Sequence, residues 1–391
     1  MNAKERLLKT MAFEEPDHVG WFENSVDSPY VTKDFGVKPS TLNLKGFMNT
    51  LRFLPGWRWL ASKLINSPAI IEKGYEVFIK TFRKIGIEYL PLAITMLLTK
   101  SKFLDPLHYV DEFGRIFQID KDPHTGVGVT NYAGGYLQSF EDYEQWGSID
   151  PVHPLRVALS KIILKLQEKY DDIFMFPSFA ALLEPTWESF GMPVFSRLLR
   201  KDDGEFIQKV FEDRGKACMD LVAMLLDDGH EVVLMYDDMG YKDGLFMSPK
   251  HFQRLVFPWY KRIVDRVHGR GAKIILHSCG DITPLFGELV GIGFDAINPI
   301  EPTAGMDIFK IHEHFGEKIT LIGNLSTQDL LSSTPDFIRS STLKLIKELA
   351  PGGGYVFASS HSIQPPVTAE NFRAMHEALK RYGVYPINIG N

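Results

Sequence analysis

Lys273–Gly280 reads KIILHSCG, an apolar run from Ile274 to Leu276 that stops at His277 and Cys279 and turns at Gly280. A strand buried on both faces reads as an unbroken apolar run, and in an α/β barrel the residues just past each strand's carboxyl end build the active site. Alternate residues of an extended chain point the same way, so His-x-Cys sets an imidazole and a thiol side by side, within reach of one ion. Alone, such a pair at a strand end is more often ordinary packing than a metal site. Its meaning depends on what the other strand tips deliver.

Working outward, Pro249–Gly269 reads as a helix with Pro249 just inside its start and Gly269 and Gly271 after its end, where helix termini favour them. The same alternation of helix and apolar run continues through Ile173–Pro177, Glu231–Tyr236, Phe294–Pro299, Ile319–Gly323 and Gly354–Ala358. Val19–Phe22 and Ile85–Leu90 add two early strands, which makes eight with Lys273–His277. Eight strands alternating with helices predict an α/β fold, a closed (β/α)8 TIM barrel. A doubly wound open sheet is the runner-up, but no G-x-G-x-x-G follows an early strand. Residues 31–84 carry helical patterns broken at Pro39, Pro55 and Pro68 and read as an N-terminal helical insertion. Asp105–Asn131, with Gly114, Gly126 and Gly128, predicts a small antiparallel hairpin beside the core. Without repeats, low-complexity tracts or linkers, residues 1–391 read as one domain.

A net charge of −6 argues against a dedicated nucleic-acid binder, which would carry a basic face. Two cysteines, Cys218 and Cys279, supply no disulfide framework and make the cytoplasm the expected compartment. The opening MNAKERLLKTMAFEEPDHV lacks a signal-peptide core and reads as an amphipathic helix, and no stretch is long and apolar enough to predict a membrane span. Phe47–Ala69 is rich in Phe, Leu and Trp but is broken by Pro55, Gly56 and interleaved Arg and Lys, as in a helical cap or interface.

Laid side by side, the strand tips offer Glu184 after the third strand, Tyr236, Asp237 and Asp238 at the fourth, and His277 and Cys279 at the fifth. Asn298 and Glu301 follow the sixth, Asn324 the seventh and His361 the eighth. His277, Cys279 and His361 converging with carboxylates make a zinc constellation with one position open, as catalytic zinc sites have. Structural readings stand beside this one. Asp237 and Asp238 could cap a helix or bind Lys and Arg, His361 could bridge loops, and Glu184 and Glu301 could hold the scaffold through ion pairs. Asn324 suits loop hydrogen bonds or substrate contact better than metal.

Several segments together resemble the uroporphyrinogen decarboxylase superfamily. They are ERLLKTMAFEEPDHV, the block from DDMGYKDG to ILHSCGDI, GFDAINPIEPTAGMD, LIGNLSTQDLL and GGGYVFASSHSIQPPVTAENFRAM. The resemblance implies a TIM barrel with one of two activities: decarboxylation of a porphyrinogen without a cofactor, or methyl transfer among small methylated compounds, corrinoid proteins and thiols. The decarboxylases gather their carboxylate-rich substrate with arginines soon after the first strand. The matching stretch here, WFENSVDSPY, has none, and carboxylates buried without cationic partners are costly.

The methyltransferase branch is the better match. Its thiol-methylating members bind zinc through His-x-Cys and a distant Cys, so the resemblance puts His277 and Cys279 in the first two places and His361 in the third. The HSIQPPVTAEN ending and the aromatic content resemble the branch that demethylates methoxylated aromatics. That likeness implies O-demethylation with methyl transfer to Co(I) of a corrinoid protein or cobalamin. Asp238, Tyr236, His277 and His361 would serve the chemistry, and Glu184, Asp237 and Asn324 would line the substrate. Trp187 and Phe246 would clasp the ring. The alternatives are a methylcobalamin:thiol methyltransferase, a decarboxylase, or a barrel that only binds its ligand. The superfamily also admits a homodimer.

Overall fold

The computed structural model describes residues 1–37, 51–121, 128–200 and 204–387. Eight parallel strands close a barrel: β1 (Trp21–Phe22), β2 (Tyr89–Ala93), β3 (Phe174–Ala180), β4 (Val232–Tyr236), β5 (Lys273–His277), β6 (Ala296–Asn298), β7 (Thr320–Leu325) and β8 (Tyr355–Ser359). They neighbour one another in chain order, and β1 pairs with both β2 and β8 to complete the ring. The (β/α)8 barrel expected from the alternation is the fold.

The pleat decides which side chains enter the barrel. Val232 and Leu234 of β4, Ile275 of β5, Ala296 of β6 and Ile322 of β7 belong to the interior cluster. The intervening Val233, Met235, Ile274, Leu276 and Ile297 belong to the larger cluster under the helices. Continuing the alternation, Tyr236, His277 and Asn298 come next on the inward side, and the ladder sets His277 level with both Tyr236 and Asn298.

Below, helix Ala3–Met11 contributes Ala3, Leu7 and Met11 to the same interior cluster and so plugs one end of the barrel. A reciprocal Asn2–Glu5 capping box starts that helix. Its buried Arg6 pairs with Asp17 at 2.7 Å and Glu88 at 2.5 Å, tying the plug to the approaches to β1 and β2.

Three expectations change in detail. The second strand begins at Tyr89 and runs through Pro91, because Ile85 still belongs to helix Pro68–Ile85, which Gly86 ends in the left-handed conformation. The hairpin is half of a four-stranded antiparallel sheet of Lys102–Phe103, His108–Val110, Arg115–Lys121 and Gly128–Gly135. The helix expected near Trp187–Leu199 is two helices, Leu183–Phe190 and Met192–Arg200, separated at Gly191. Within 31–84, residues 38–50 lie outside the described residues, and with them the Phe47 end of the aromatic segment. Helix Trp57–Ile65 packs on the antiparallel sheet through Trp57 and Phe103.

Candidate active site at the barrel mouth

At the carboxyl ends of β4 and β5, one ligand atom each from Asp238, His277 and Cys279 lies within 4.8 Å of the others. Cys279 Sγ is 3.4 Å from His277 Nε2, and that nitrogen is 4.0 Å from Asp238 Oδ1. The tautomer follows from the next strand. Asn298 Nδ2 donates to the Ile322 carbonyl at 3.2 Å, which turns its Oδ1 toward His277 Nδ1, 2.6 Å away. Nδ1 therefore carries the proton, and Nε2 presents a lone pair beside the thiol, as in metal-binding histidines whose other nitrogen is held by an outer partner.

The loops after β4 and β5 are locked together. The Cys279 amide donates to Asp238 Oδ1 at 2.8 Å, and the Gly280 amide to Glu301 Oε2 at 2.9 Å. Gly280 has φ +81, and a Cβ there would fall 2.2 Å from the carbonyl carbon of Gly240, so only glycine permits this approach.

Burial dominates the electrostatics. It lowers His277 to a pKa of about 4, against the Asn298 hydrogen bond, and nearby His361 lowers it further. It lifts Asp238 to about 7, with Asp237 and Glu301 adding repulsion against the Cys279 amide. The Cys279 thiol is pushed well up, first by burial and then by Asp238 and Glu301. Glu184 is also pushed well up, by burial and then by the Asp238 charge. These carboxylates and the thiol resist ionising together, so a divalent cation among them would release the strain of like charges. A sulfur, an imidazole lone pair and a carboxylate oxygen are a donor set that zinc accepts.

His361 is exposed and is not among the three residues whose ligand atoms converge, although it stands near enough to His277 to lower that residue's pKa; Asp238 completes the group of three. After β8, Ser359 Oγ donates to the His361 carbonyl at 2.6 Å, and Ile363 bridges to Val26 and accepts the amides of Asp27 and Ser28. This pairing with the segment after β1 fixes the course of the loop that bears His361.

Asp237 is also reassigned. Fully buried, it accepts the amides of Leu182, Leu183 and Glu184 at 2.7–3.1 Å and the Tyr260 hydroxyl at 2.7 Å. It therefore caps helix Leu183–Phe190, and its burial and four hydrogen bonds give it an architectural role. Trp187 and Phe246 have ring centroids 4.8 Å apart. They form one aromatic wall, because a second ring cannot enter between faces that already touch. Tyr236 lies 4.7 Å from the His277 ring, centroid to centroid, and donates to Asn24 Oδ1 at 3.1 Å, across the mouth from β4 to the tip of β1. Asn324 donates to the Ile300 carbonyl at 2.8 Å, the loop role foreseen as one of its two readings.

Two features escaped the sequence reading. Asn298 was noted as a tip residue, yet its part in fixing the His277 tautomer emerges only from the register of β5 and β6. Arg115, on the antiparallel sheet, binds Asp111 at 2.8 Å and Glu188 at 2.7 Å and comes to 4.0 Å from Glu184. No short motif advertises it.

A parallel barrel whose mouth gathers a cysteine, a histidine and raised-pKa carboxylates is the frame of an enzyme family. A family profile, uroporphyrinogen decarboxylase (URO-D), matches residues 188–382. The chain belongs to the uroporphyrinogen decarboxylase superfamily. Uroporphyrinogen decarboxylase of Nitrosococcus oceani is 27% identical over 160 residues, 40% of this chain and 42% of that protein. The enzyme of Myxococcus xanthus is 23% identical over 191 residues, 49% of this chain and 52% of that protein. The chain thus spans about half the length of the curated relatives it matches. Among solved structures, a methyltransferase from Methanosarcina mazei superposes with a TM-score of 0.65 at 18% identity, covering 98% of this chain and 99% of that one. A B12-independent methionine synthase from Shewanella sp. W3-18-1 gives 0.50 at 10% identity, covering 94% and 98%. At these identities the likeness concerns the fold. No helix among the described residues is long and apolar enough to cross a membrane.

Proposed function

We propose that this protein is a methyltransferase that takes the methyl group of a small methylated compound, a methoxylated aromatic, and passes it to the Co(I) centre of a corrinoid protein or cobalamin. The carrying observation is the convergence of Asp238, His277 and Cys279 at the barrel mouth. A zinc ion held by these three would act there as a Lewis acid toward the ether oxygen. The chain's own residues do the rest. Asn298 keeps Nε2 of His277 free to bind. The Trp187–Phe246 wall offers a face for the arene.

A Co(I) corrinoid, as methyl acceptor, would supply the nucleophile for the methyl carbon. As the carbon–oxygen bond breaks, its electron pair stays on oxygen, which takes a proton. With Asp238 assigned to the ion, Glu184 is the proton donor, since its burial favours the protonated form. The first-strand tip supports this reading over decarboxylation, because Glu23, Asn24 and Asp27 stand where cations would be needed for a polycarboxylate.

One observation favours a second reading, methyl transfer to a thiol. With Asp238 in place of His361 the donor set carries two negative charges rather than one, which would leave a bound thiolate more nucleophilic than the two-histidine set would. Incubation with Co(I) cobalamin and a panel of methoxylated phenols separates the two. Methylcobalamin appearing in the visible spectrum supports O-demethylation. No methylcobalamin from any donor, with methylcobalamin consumed in the presence of a small thiol, moves the assignment to the second reading.

A further inference from the structure

Arg214, on helix Gly204–Asp228, is 5% exposed. Its Nη2 donates to Ser189 Oγ at 3.0 Å and to the Phe113 carbonyl at 3.3 Å, joining the helix that bears Glu184 and Trp187 to the loop ahead of Arg115. Its Nη1 is buried without a hydrogen-bond partner. Ser148 Oγ is buried and unpartnered as well. Both residues line one small cavity of about 10 Å3, together with Tyr143, Ala181 and Cys218.

The nearby carboxylates are committed elsewhere. Glu112, which also lines the cavity, holds Arg156 at 2.5 Å and Thr99 at 2.7 Å. Asp111 and Glu188 hold Arg115. Among the described residues, then, no carboxylate forms an ion pair with Arg214, and a buried cation without a counter-charge is costly. The cavity holds one guest of about the size of a water molecule. The unpartnered N–H and O–H belong to two residues that line it, and donors without an acceptor, one of them on a guanidinium, favour an acceptor-only guest with negative charge.

We propose that the cavity holds a single halide ion, chloride in ordinary buffers, between Nη1 of Arg214 and the hydroxyl of Ser148. The ion compensates Arg214 and stiffens the wall of the barrel mouth from behind, because the same guanidinium holds Ser189 of helix Leu183–Phe190. This site is independent of the proposed methyl transfer.

The test uses the full chain with bromide as the probe. Crystals soaked in bromide should show an anomalous peak in contact with Arg214 Nη1. In solution, Tm at matched ionic strength should rise saturably when gluconate is replaced by bromide or chloride, by about 3 °C at a hundredfold excess over Kd for a chain of this length. Arg214→Met should abolish the rise. Should that variant fail to fold, Ser148→Ala should weaken the halide dependence with the fold intact. No anomalous peak together with identical Tm in gluconate and halide would overturn the proposal and leave an ordered water in the cavity.

Discussion

His277 Nδ1 faces Asn298 Oδ1 at 2.6 Å across the β5–β6 ladder, and this contact leaves Nε2 beside the Cys279 sulfur. An imidazole free to rotate or change tautomer would lose much of its worth as a ligand. Asn298→Ala is therefore expected to weaken zinc binding about 10- to 100-fold with the fold retained. Chelator competition measures it, and an unaltered affinity would show that the asparagine does not orient the ligand.

The third ligand, Asp238 or His361, separates two pictures of the site. His361→Ala should leave zinc stoichiometry at about one per chain, whereas Asp238→Ala should lower it. Elemental analysis of the purified variants decides between them. Metal lost with His361 and retained without Asp238 would restore the imidazole to the coordination shell.

Asp237 serves architecture. Its loss orphans three amides and the Tyr260 hydroxyl in a buried place. Asp237→Ala should cost about 3 kcal/mol, a fall in Tm of about 4 °C. In folded protein the KM for the methyl donor should hold steady, because the carboxylate does not reach substrate. Thermal unfolding unchanged alongside a raised KM would return Asp237 to the binding site.

Glu23 gives the fold a pH signature. Buried between Trp21 Nε1, at 2.9 Å, and Ser359, its carboxyl is raised by burial from 4.5 to about 7. Folded protein thus holds a proton that the unfolded chain releases between these values, and stability falls as pH rises through that window and is flat beyond it. The loss from this group is roughly 3 kcal/mol. Glu23→Gln should remove that part of the slope in denaturant titrations run from pH 4.5 to 7. An equally steep slope in the variant would assign it to other groups.

Much of this was legible in the chain. The apolar run ending in His277 and Cys279 marked β5 and its tip, because a buried parallel strand has no polar alternation to hide in. The parity that pairs those two residues applies equally to β4, where Leu234, Tyr236 and Asp238 alternate with Asp237. Asp238 faces inward with the first two, and Asp237 turns out to cap a helix. His361 was beyond such reasoning. Order along the chain says that a residue follows β8, while the pairing of Ile363 with the segment after β1 fixes the course of the loop it sits on. Arg115 was hidden for a similar reason. Its role depends on an antiparallel sheet docking against helix Leu183–Phe190, a contact between segments about 70 residues apart in sequence, with no periodicity to announce it.

The convergence of Asp238, His277 and Cys279 on one ion is open to direct measurement by zinc-edge X-ray absorption on the zinc-loaded protein. One sulfur at about 2.3 Å, with nitrogen and oxygen at about 2.0–2.2 Å, is the predicted shell, and the sulfur should vanish in Cys279→Ser. A shell without sulfur in the unsubstituted protein, or one that Cys279→Ser leaves unaltered, would contradict the account.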